Sequence, residues 1–584
     1  MSLKDDYILG IWDGHDSGAA LIQGDKILFA VNEERLSRRK LEVNFPILSI
    51  ETCLQAAGVA KEQINSIAVP TYDLAKTMTR LFPALKENYY QVRRKKKYIP
   101  YLHLQKKGKL FFTGISSNHF TQKLSEILLI RKLKQIGFKN FQLFLVDHHA
   151  AHAACAAYCS PFSQSTVLTV DGVGDGLSAT IQILKNGELK PVIKISAQNS
   201  LGIFYEMVTF FLNMRELEDE GKVMCLADMA NSEPENLMND FFKIEDLSIK
   251  AACSPLKMFS KLEELAFKLP WEKFAWMAQR TLETKLVEFF KNAIRETKIL
   301  DVSWAGGVAA NIKANQMIRL FSGLKNWYVF PHMGDGGIAL GAALYIQGLK
   351  IPGLKVPLPD VYLGPDFKEE DILKIAKEQN LSYQNRENIS EKGAEILANG
   401  GLLLWYQGRM EYGPRALGNR SILAPPDDLK AKDDLNRILK RRSWFQPFCP
   451  TLTYKNAPIF IEDWDGNSSP FMTMGYKIKQ NKRKGMQAVM SMDYTCRPQL
   501  LQGENPRFEQ LLEHYETLTS RSAVLNTSFN RHGEPLVCSP TQAFSVFIEC
   551  GFPYLAIENY LFENKNSNFL IKGKIWTSGE TSAV

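Results

Sequence analysis

The sequence predicts an α/β protein: a duplicated α/β unit in its first part and a separate α/β domain in its second. Three observations carry this. A strand–turn–strand hairpin near the start recurs about 160 residues later. Apolar strands repeatedly deliver glycine loops to helical patterns. Pro352, Pro357 and Pro359 then break the chain after a helix ending near Tyr345. The length of 584 residues admits about two to four domains, and we place them at 1–350 and 386–584, with a linker over 351–385.

The first hairpin begins with the apolar run Tyr7-Ile8-Leu9-Gly10-Ile11-Trp12 and enters Asp13-Gly14-His15-Asp16-Ser17-Gly18. A second apolar run, a Gly24-Asp25 turn and Lys26–Val31 follow. The recurrence is Val167-Leu168-Thr169-Val170, then Asp171-Gly172-Val173-Gly174-Asp175-Gly176, a strand, and an Asn186-Gly187 turn. Glycine admits a ligand close to the backbone, and the adjacent aspartate can hold a metal or a water. One such hairpin is an ordinary turn; two at equivalent places favour nucleotide binding.

Asp147-His148-His149-Ala150-Ala151-His152-Ala153-Ala154 is the sharpest local signal. The alanine run is helical, with Asp147 as its N-cap. His148 and His152, at i and i+4, fall on one helix face. Two neutral imidazoles so placed suit a divalent transition metal completed by carboxylates, for which Asp171 and Asp335 are the candidates. Core or capping histidines are the alternative. A zinc protease lacks support, because the H-E-x-x-H glutamate is missing.

Val302–Asn311 reads as a strand delivering Gly306-Gly307 to a helix start, a geometry that binds anions. His332–Gly341 is another glycine turn, holding Asp335 and entering an apolar helix. Neither loop fits a Walker or dinucleotide fingerprint. In the second part, the strand Gly401–Tyr406 feeds a segment carrying Arg409, Arg415 and Arg420 among glycines. Guanidinium forks bind phosphate bidentately, so this is a candidate anion cradle. Lys440-Arg441-Arg442, Gln446, Arg497 and the loop Asn526-Thr527-Ser528 extend it into a second phosphate-handling pocket.

Composition narrows the classes. There are 71 Lys and Arg against 63 Asp and Glu, a net charge of +8, and 45% hydrophobic residues, which excludes wholesale disorder. No run approaches the ~18 apolar residues of a membrane span. The polar start lacks the apolar core of a secretory signal, and nine cysteines without a C-x-x-C pair suit reduced thiols; a cytoplasmic enzyme is expected. The excess charge is local: residues 86–135 hold thirteen Lys and Arg against two acidic residues. That run is a solvated face or an electrostatic site. Without an RNA-binding motif, nucleic acid is a minority reading.

These motifs together resemble the O-carbamoyltransferases of the nodulation-protein, cephamycin and tobramycin type. The resemblance rests on Gly14-His15-Asp16-Ser17-Gly18, Glu33-Glu34-Arg35, Asp147-His148-His149-x-x-His152 and Val170-Asp171-Gly172-x-Gly174. It continues through Ser200-Leu201-Gly202, Glu220-Gly221-Lys222, Gly306-Gly307-Val308-x-x-Asn311, Tyr412–Gly418 and Asn526–Asn530. It implies an actin-like (ASKHA) first domain and a YrdC-like second domain. The second would form carbamoyl adenylate from ATP, with Mg²⁺, and carbamoyl phosphate. The first would pass the carbamoyl group to a hydroxyl of a small-molecule or sugar acceptor. The resemblance puts a metal, Fe²⁺, on His148, His152, Asp171 and Asp335. It puts the adenylate on Gly202, Gly307 and Asn311, and acceptor chemistry on Asp13, His15 and Lys40. ATP and carbamoyl phosphate fall to Arg415, Lys440, Gln446, Arg497, Asn526 and Ser528. A homodimer is compatible with this reading. Where the family reads Arg-Pro-Phe-Ala-Pro, this chain has Gln446-Pro447-Phe448-Cys449-Pro450, which removes a phosphate-facing charge. A tRNA threonylcarbamoyl-type enzyme and a catalytically idle nucleotide-binding scaffold are the alternatives.

Overall fold

A computed structural model describes residues 6–95, 108, 115–230, 235–565 and 567. The chain forms two compact units: 1–34 with 41–358, and 35–40 with 359–584. The interval 351–385, read above as linker, contains the helix Glu369–Glu378 and the short strand Tyr383–Asn385.

The first unit holds two five-stranded sheets of identical strand order. One is built from β1 (Tyr7–Trp12), β2 (Gly18–Gln23), β3 (Lys26–Asn32), β4 (Ile64–Pro70) and β5 (Gln142–Val146), in the order β3-β2-β1-β4-β5. The other uses β6 (Gln164–Gly174), β7 (Leu177–Lys185), β8 (Glu188–Ser196), β11 (Asp301–Ala305) and β12 (Asn326–Val329), in the order β12-β11-β6-β7-β8. Between β8 and β11 in sequence lies a small hairpin, β9 (Phe242–Glu245) and β10 (Ser248–Ala251). In each large sheet an antiparallel meander leads; one strand then adds in parallel on its first strand, and a second adds in parallel on that one. Parallel additions need crossover connections, which is why the intervening segments are largely helical. The Asn186-Gly187 turn has both residues at positive φ, +53° and +77°, the signature of a type I′ hairpin.

Glycine sets the closest approach in this unit. A side chain at Gly10 would meet the Ala339 carbonyl at 1.9 Å, and one at Gly341 would meet the Ala151 carbonyl at 2.1 Å. The helix Ile338–Lys350 is thus pressed between β1 and the helix His148–Tyr158. That contact brings the turn Asp335–Gly337 up to the histidine pair.

The second unit is organised on one eight-stranded sheet. Its strands are β13 (Tyr383–Asn385), β14 (Leu403–Tyr406), β15 (Arg420–Ala424), β16 (Cys449–Thr453), β19 (Gln499–Leu501), β20 (Ala523–Ser528), β21 (Tyr554–Ile557) and β22 (Tyr560–Glu563). Their order is β13-β22-β21-β14-β15-β20-β16-β19; β17 (Tyr476–Lys477) and β18 (Thr495–Cys496) pair apart from it. A core of Trp405, Leu423, Phe508, Leu511 and Tyr515 fixes the helices Ile389–Ala398 and Pro506–Thr519 on this sheet. Among the described residues no helix is long and apolar enough to cross a membrane.

Candidate metal centre and anion site

In the first unit the helix His148–Tyr158 starts where the sequence places it, with Asp147 accepting from the Ala150 N–H at 3.0 Å. Its i,i+4 pair meets two carboxylates. One ligand atom from each of His148, His152, Asp171 and Asp335 lies within 4.8 Å of all the others. His148 Nε2 is 3.2 Å from Asp171 and 3.6 Å from Asp335, and His152 Nε2 is 3.5 Å from Asp335. His152 Nε2 is buried without a hydrogen-bond partner. Two imidazole nitrogens and two carboxylates in a closed pocket suit a divalent transition metal, so all four predicted ligands fit.

The electrostatics agree. Burial alone would lower His148, but Asp335 and Asp171 overcome it and push the imidazole up to about 10. Burial and Asp335 would raise Asp171, yet the histidines hold it near 2. Imidazoles and carboxylates thus shift one another in opposite directions inside a buried pocket.

Further residues orient the ligands. Thr71 Oγ1 is 2.9 Å from His148 Nδ1; with Thr71 accepting, the Nε2 lone pair faces the carboxylates. Asp175 accepts from the His148 backbone N–H at 2.9 Å and from the Tyr72 N–H at 2.9 Å. Both orienting residues have positive φ, +68° at Thr71 and +51° at Asp175. Sequence reasoning singled out neither. Asp175 was legible in Asp171-Gly172-Val173-Gly174-Asp175-Gly176, as an aspartate suited to a left-handed turn. His149 turns elsewhere: its Nδ1 meets Thr169 Oγ1 at 2.7 Å, and burial with the neighbouring His148 charge pushes it down to about 4.

His15 joins the centre, with Nε2 at 3.1 Å from the second Asp335 oxygen and about a third of its side chain exposed. Asp13 has another task. Its buried carboxylate takes Lys76 at 2.8 Å, two bonds from Arg80 at 3.0 Å and Lys86 at 3.7 Å. Burial would raise it, but these cations hold it well below the usual carboxylate range, which leaves it a poor base. Asp13→Asn strands three buried cations. It should cost about 3–5 kcal/mol, read as a lower urea midpoint. Lys40 belongs to the second unit.

Among the predicted adenylate contacts, a side chain at Gly202 would meet the Asp171 carbonyl at 2.6 Å. The Gly307 N–H donates to Asp171 Oδ1 at 2.6 Å. That N–H is therefore engaged by a candidate metal ligand. Asn311 caps the helix Ile312–Phe321 and exchanges bonds with Gln279, so a ligand there must displace them.

In the second unit the arginine cradle is narrower than its sequence suggests. Arg420 is fully buried, stacks on Tyr406 at 3.6 Å and donates to the carbonyls of Gln407, Asn419 and Gly408. Arg409 donates to the Leu363 and Gly364 carbonyls. Both take structural roles on loop carbonyls, Arg420 fully buried and Arg409 half-buried. Arg415 sits instead among other cations: its Nε, like that of Arg420, is buried without a hydrogen-bond partner, and burial with the nearby Arg497 and Arg442 charges pushes it down to about 9. Arg497 faces Cys449 Sγ at 3.1 and 3.2 Å. Convergent guanidinium groups of this kind make an anion site.

A π-helical turn, Leu435–Lys440, delivers Lys440 to Ser528 Oγ at 3.0 Å and Asn530 Oδ1 at 2.7 Å. Burial and the Arg442 and Lys40 charges hold that amine well below its usual range. Gln446 Oε1 and Asn526 Oδ1 are buried acceptors without partners.

Of the basic run, residues 96–107 and 109–114 lie outside the described residues. Lys86, Arg93 and Arg94 are drawn into contacts with Asp13, the Glu216 carbonyl and Glu218, respectively, and so do not form a free basic face. Close by, burial and the Glu206 carboxylate push Glu220 up to about 8, against the Leu217 N–H and Arg93. Its unfolded reference is near 4.5, so this raised value adds stability at low pH that is lost as pH climbs through about 8. Glu220→Gln should therefore flatten the fall in melting temperature between about pH 5 and 8.5, measured by thermal melts across that window.

The family model described as "Carbamoyltransferase N-terminus" matches residues 7–344, and "Carbamoyltransferase C-terminus" matches 394–564. The chain is 32% identical to uncharacterized protein MJ1051 of Methanocaldococcus jannaschii, over 95% of this chain and 99% of that one. It is 34% identical to MJ1058 of the same organism, over 77% and 78%. It is also 30% identical to nodulation protein NolNO of Sinorhizobium fredii, over 95% and 80%.

Proposed function

The chain belongs to the carbamoyltransferase family, and from that premise we propose that it is an ATP-dependent O-carbamoyltransferase with two chemical sites. The second unit, read as YrdC-like, takes ATP and carbamoyl phosphate to carbamoyl adenylate and pyrophosphate. The first, read as actin-like, passes the carbamoyl group to a hydroxyl and releases AMP. The observation that carries this reading is the ligand set His148, His152, Asp171 and Asp335 with His15 against its rim, in a different unit from the Arg415 and Arg497 cluster.

His15 is placed to take the acceptor proton, since Asp335 Oδ2 orients its Nε2. The hydroxyl oxygen then bonds the carbamoyl carbon while the bond to the AMP phosphate oxygen breaks. His148, His152, Asp171 and Asp335 would hold Fe²⁺ or another divalent metal, which would supply Lewis-acid polarisation when bound. Asp13 anchors the loop that carries His15 and takes no proton. In the second unit Arg415 and Arg497 receive phosphate, the neighbouring Arg442 adds to the positive field, and Gln446 and Asn526 offer polar atoms. Mg²⁺ accompanies ATP. Pyrophosphate release from ATP and carbamoyl phosphate without acceptor, followed by a carbamoyl-sized mass gain on a hydroxyl compound, tests the scheme. Absence of pyrophosphate release rejects it in favour of the idle scaffold.

A further inference from the structure

Six residues, Arg35–Lys40, belong to the second unit although the chain on either side of them belongs to the first. We infer that this strap is a positioning element of the anion site, holding in place the two loops that carry Arg415 and Lys440. The inference rests on the reading of that site as the place where ATP and carbamoyl phosphate react.

The Arg415 loop is tied at both ends by a charged side chain. At its far end the Glu411 carboxylate accepts from the N–H groups of Leu417, Asn419 and Arg420 at 2.8, 2.8 and 3.0 Å. At its near end the buried Arg35 donates to the Gly413 carbonyl at 2.8 Å, two residues before Arg415. Gly413 sits at φ +133°, in a region open to glycine and few others, so this bond rather than backbone stiffness fixes where the loop starts.

Lys440 rests in the other loop. Its amine donates to Ser528 Oγ at 3.0 Å and to the carbonyl and side-chain oxygens of Asn530 at 2.9 and 2.7 Å. Asn530 in turn donates to the Glu534 carbonyl at 2.6 Å, and the next two carbonyls, Pro535 and Leu536, accept from Arg38 at 2.9 and 2.6 Å. Arg38 takes a left-handed φ of +61°, disfavoured for a side chain of its size and held here by those two carbonyls. Lys40 acts on the same amine by charge: burial, then the Arg442 and Lys40 cations, hold Lys440 well below its usual range. The other titratable groups facing it are Cys550 and His532, whose ring nitrogen meets the Lys440 carbonyl at 2.6 Å. Lys40, given to acceptor chemistry by the resemblance, thereby acquires a task in the other half-reaction.

Hydrogen exchange read by mass spectrometry on the full-length protein, without substrate, tests the geometry. Arg38→Ala should speed exchange roughly tenfold over 528–537, and Arg35→Ala over 411–418, while the helix Pro506–Thr519 keeps its rate. In Arg38→Ala the kcat for pyrophosphate release should fall about 10- to 100-fold, the scale of a small misplacement of reacting groups. If that variant fails to fold, Arg38→Lys, which keeps the charge and loses the fork across two carbonyls, should give both effects to a smaller degree. Whichever form of Lys440 the step needs, Lys40→Gln should move its limb of the pH profile to higher pH, because removing a neighbouring cation raises an amine; Lys40→Arg should leave it in place. The shift should persist in His532→Gln and Cys550→Ser backgrounds. Unchanged exchange in Arg38→Ala, faster exchange spread over the whole second unit, or a limb that Lys40→Gln leaves where it was overturns the assignment. Exchange that responds as described in a protein that releases no pyrophosphate sinks the carbamoyl-adenylate reading and leaves the strap's hold on the two loops standing.

Discussion

His148→Ala combined with His152→Ala should abolish bound metal and carbamoyl transfer and leave pyrophosphate release from ATP and carbamoyl phosphate intact. The two histidines supply half of the ligand atoms, and His152 Nε2 is buried with no hydrogen-bond partner. Loss of a partner that merely orients a ligand costs about 10–100-fold in metal affinity, so loss of two ligands should exceed 100-fold. The substitution also strands Asp171 and Asp335 as neighbouring buried carboxylates, so circular dichroism must first show a folded protein. Metal content by mass spectrometry after Fe²⁺ reconstitution and the two half-reactions then form one experiment. A folded variant that loses both half-reactions contradicts the division between units.

Arg415→Lys should slow pyrophosphate release by about one to two orders of magnitude. Its neighbours Arg497 and Arg442 already push the guanidinium down to about 9, so an anion that relieves this repulsion is favoured there. Lysine keeps a charge but loses the planar fork that bonds phosphate bidentately. A charge-assisted hydrogen bond is worth roughly 1.5–3 kcal/mol, which sets the range. Transfer from preformed carbamoyl adenylate should survive, because that step is assigned to the first unit. Unchanged pyrophosphate release, or equal damage to both steps, removes Arg415 from the phosphate site.

What the sequence revealed follows the range of the interactions. The histidine pair and its Asp147 cap were readable because a helix turn is local, and the sheet duplication was readable because hairpins repeat their turn chemistry. Asp171 and Asp335 were found through adjacent glycines, which also permit the close packing of Gly10 and Gly341. Thr71 was invisible, since only tertiary closure sets its backbone against His148. The ion pairs of Asp13 were invisible because Lys76, Arg80 and Lys86 lie 63, 67 and 73 residues further along the chain. Three arginines among glycines looked equivalent. Composition does not reveal which guanidinium will be consumed by loop carbonyls, and Arg409 and Arg420 are.

The six residues Arg35–Lys40 leave the first unit, join the second, and return. Arg35 donates to the Gly413 carbonyl at 2.8 Å, and Arg38 to the carbonyls of Leu536 and Pro535 at 2.6 and 2.9 Å. On the ribosome this stretch emerges long before its partners. At about 5–20 residues per second, Gly413 follows Arg35 by roughly 20–75 s and the Leu536 strap later still. During that interval two arginines destined for loop carbonyls remain solvated, and the strand–helix junction at Glu33–Ser37 is held from one side only. Completion of the nascent chain is thus the event that locks its beginning. The second unit expressed alone from residue 359 would lack part of its own wall. Supplying residues 1–358 in trans should rescue it only to the extent that a loop anchored at both ends can still be threaded into place.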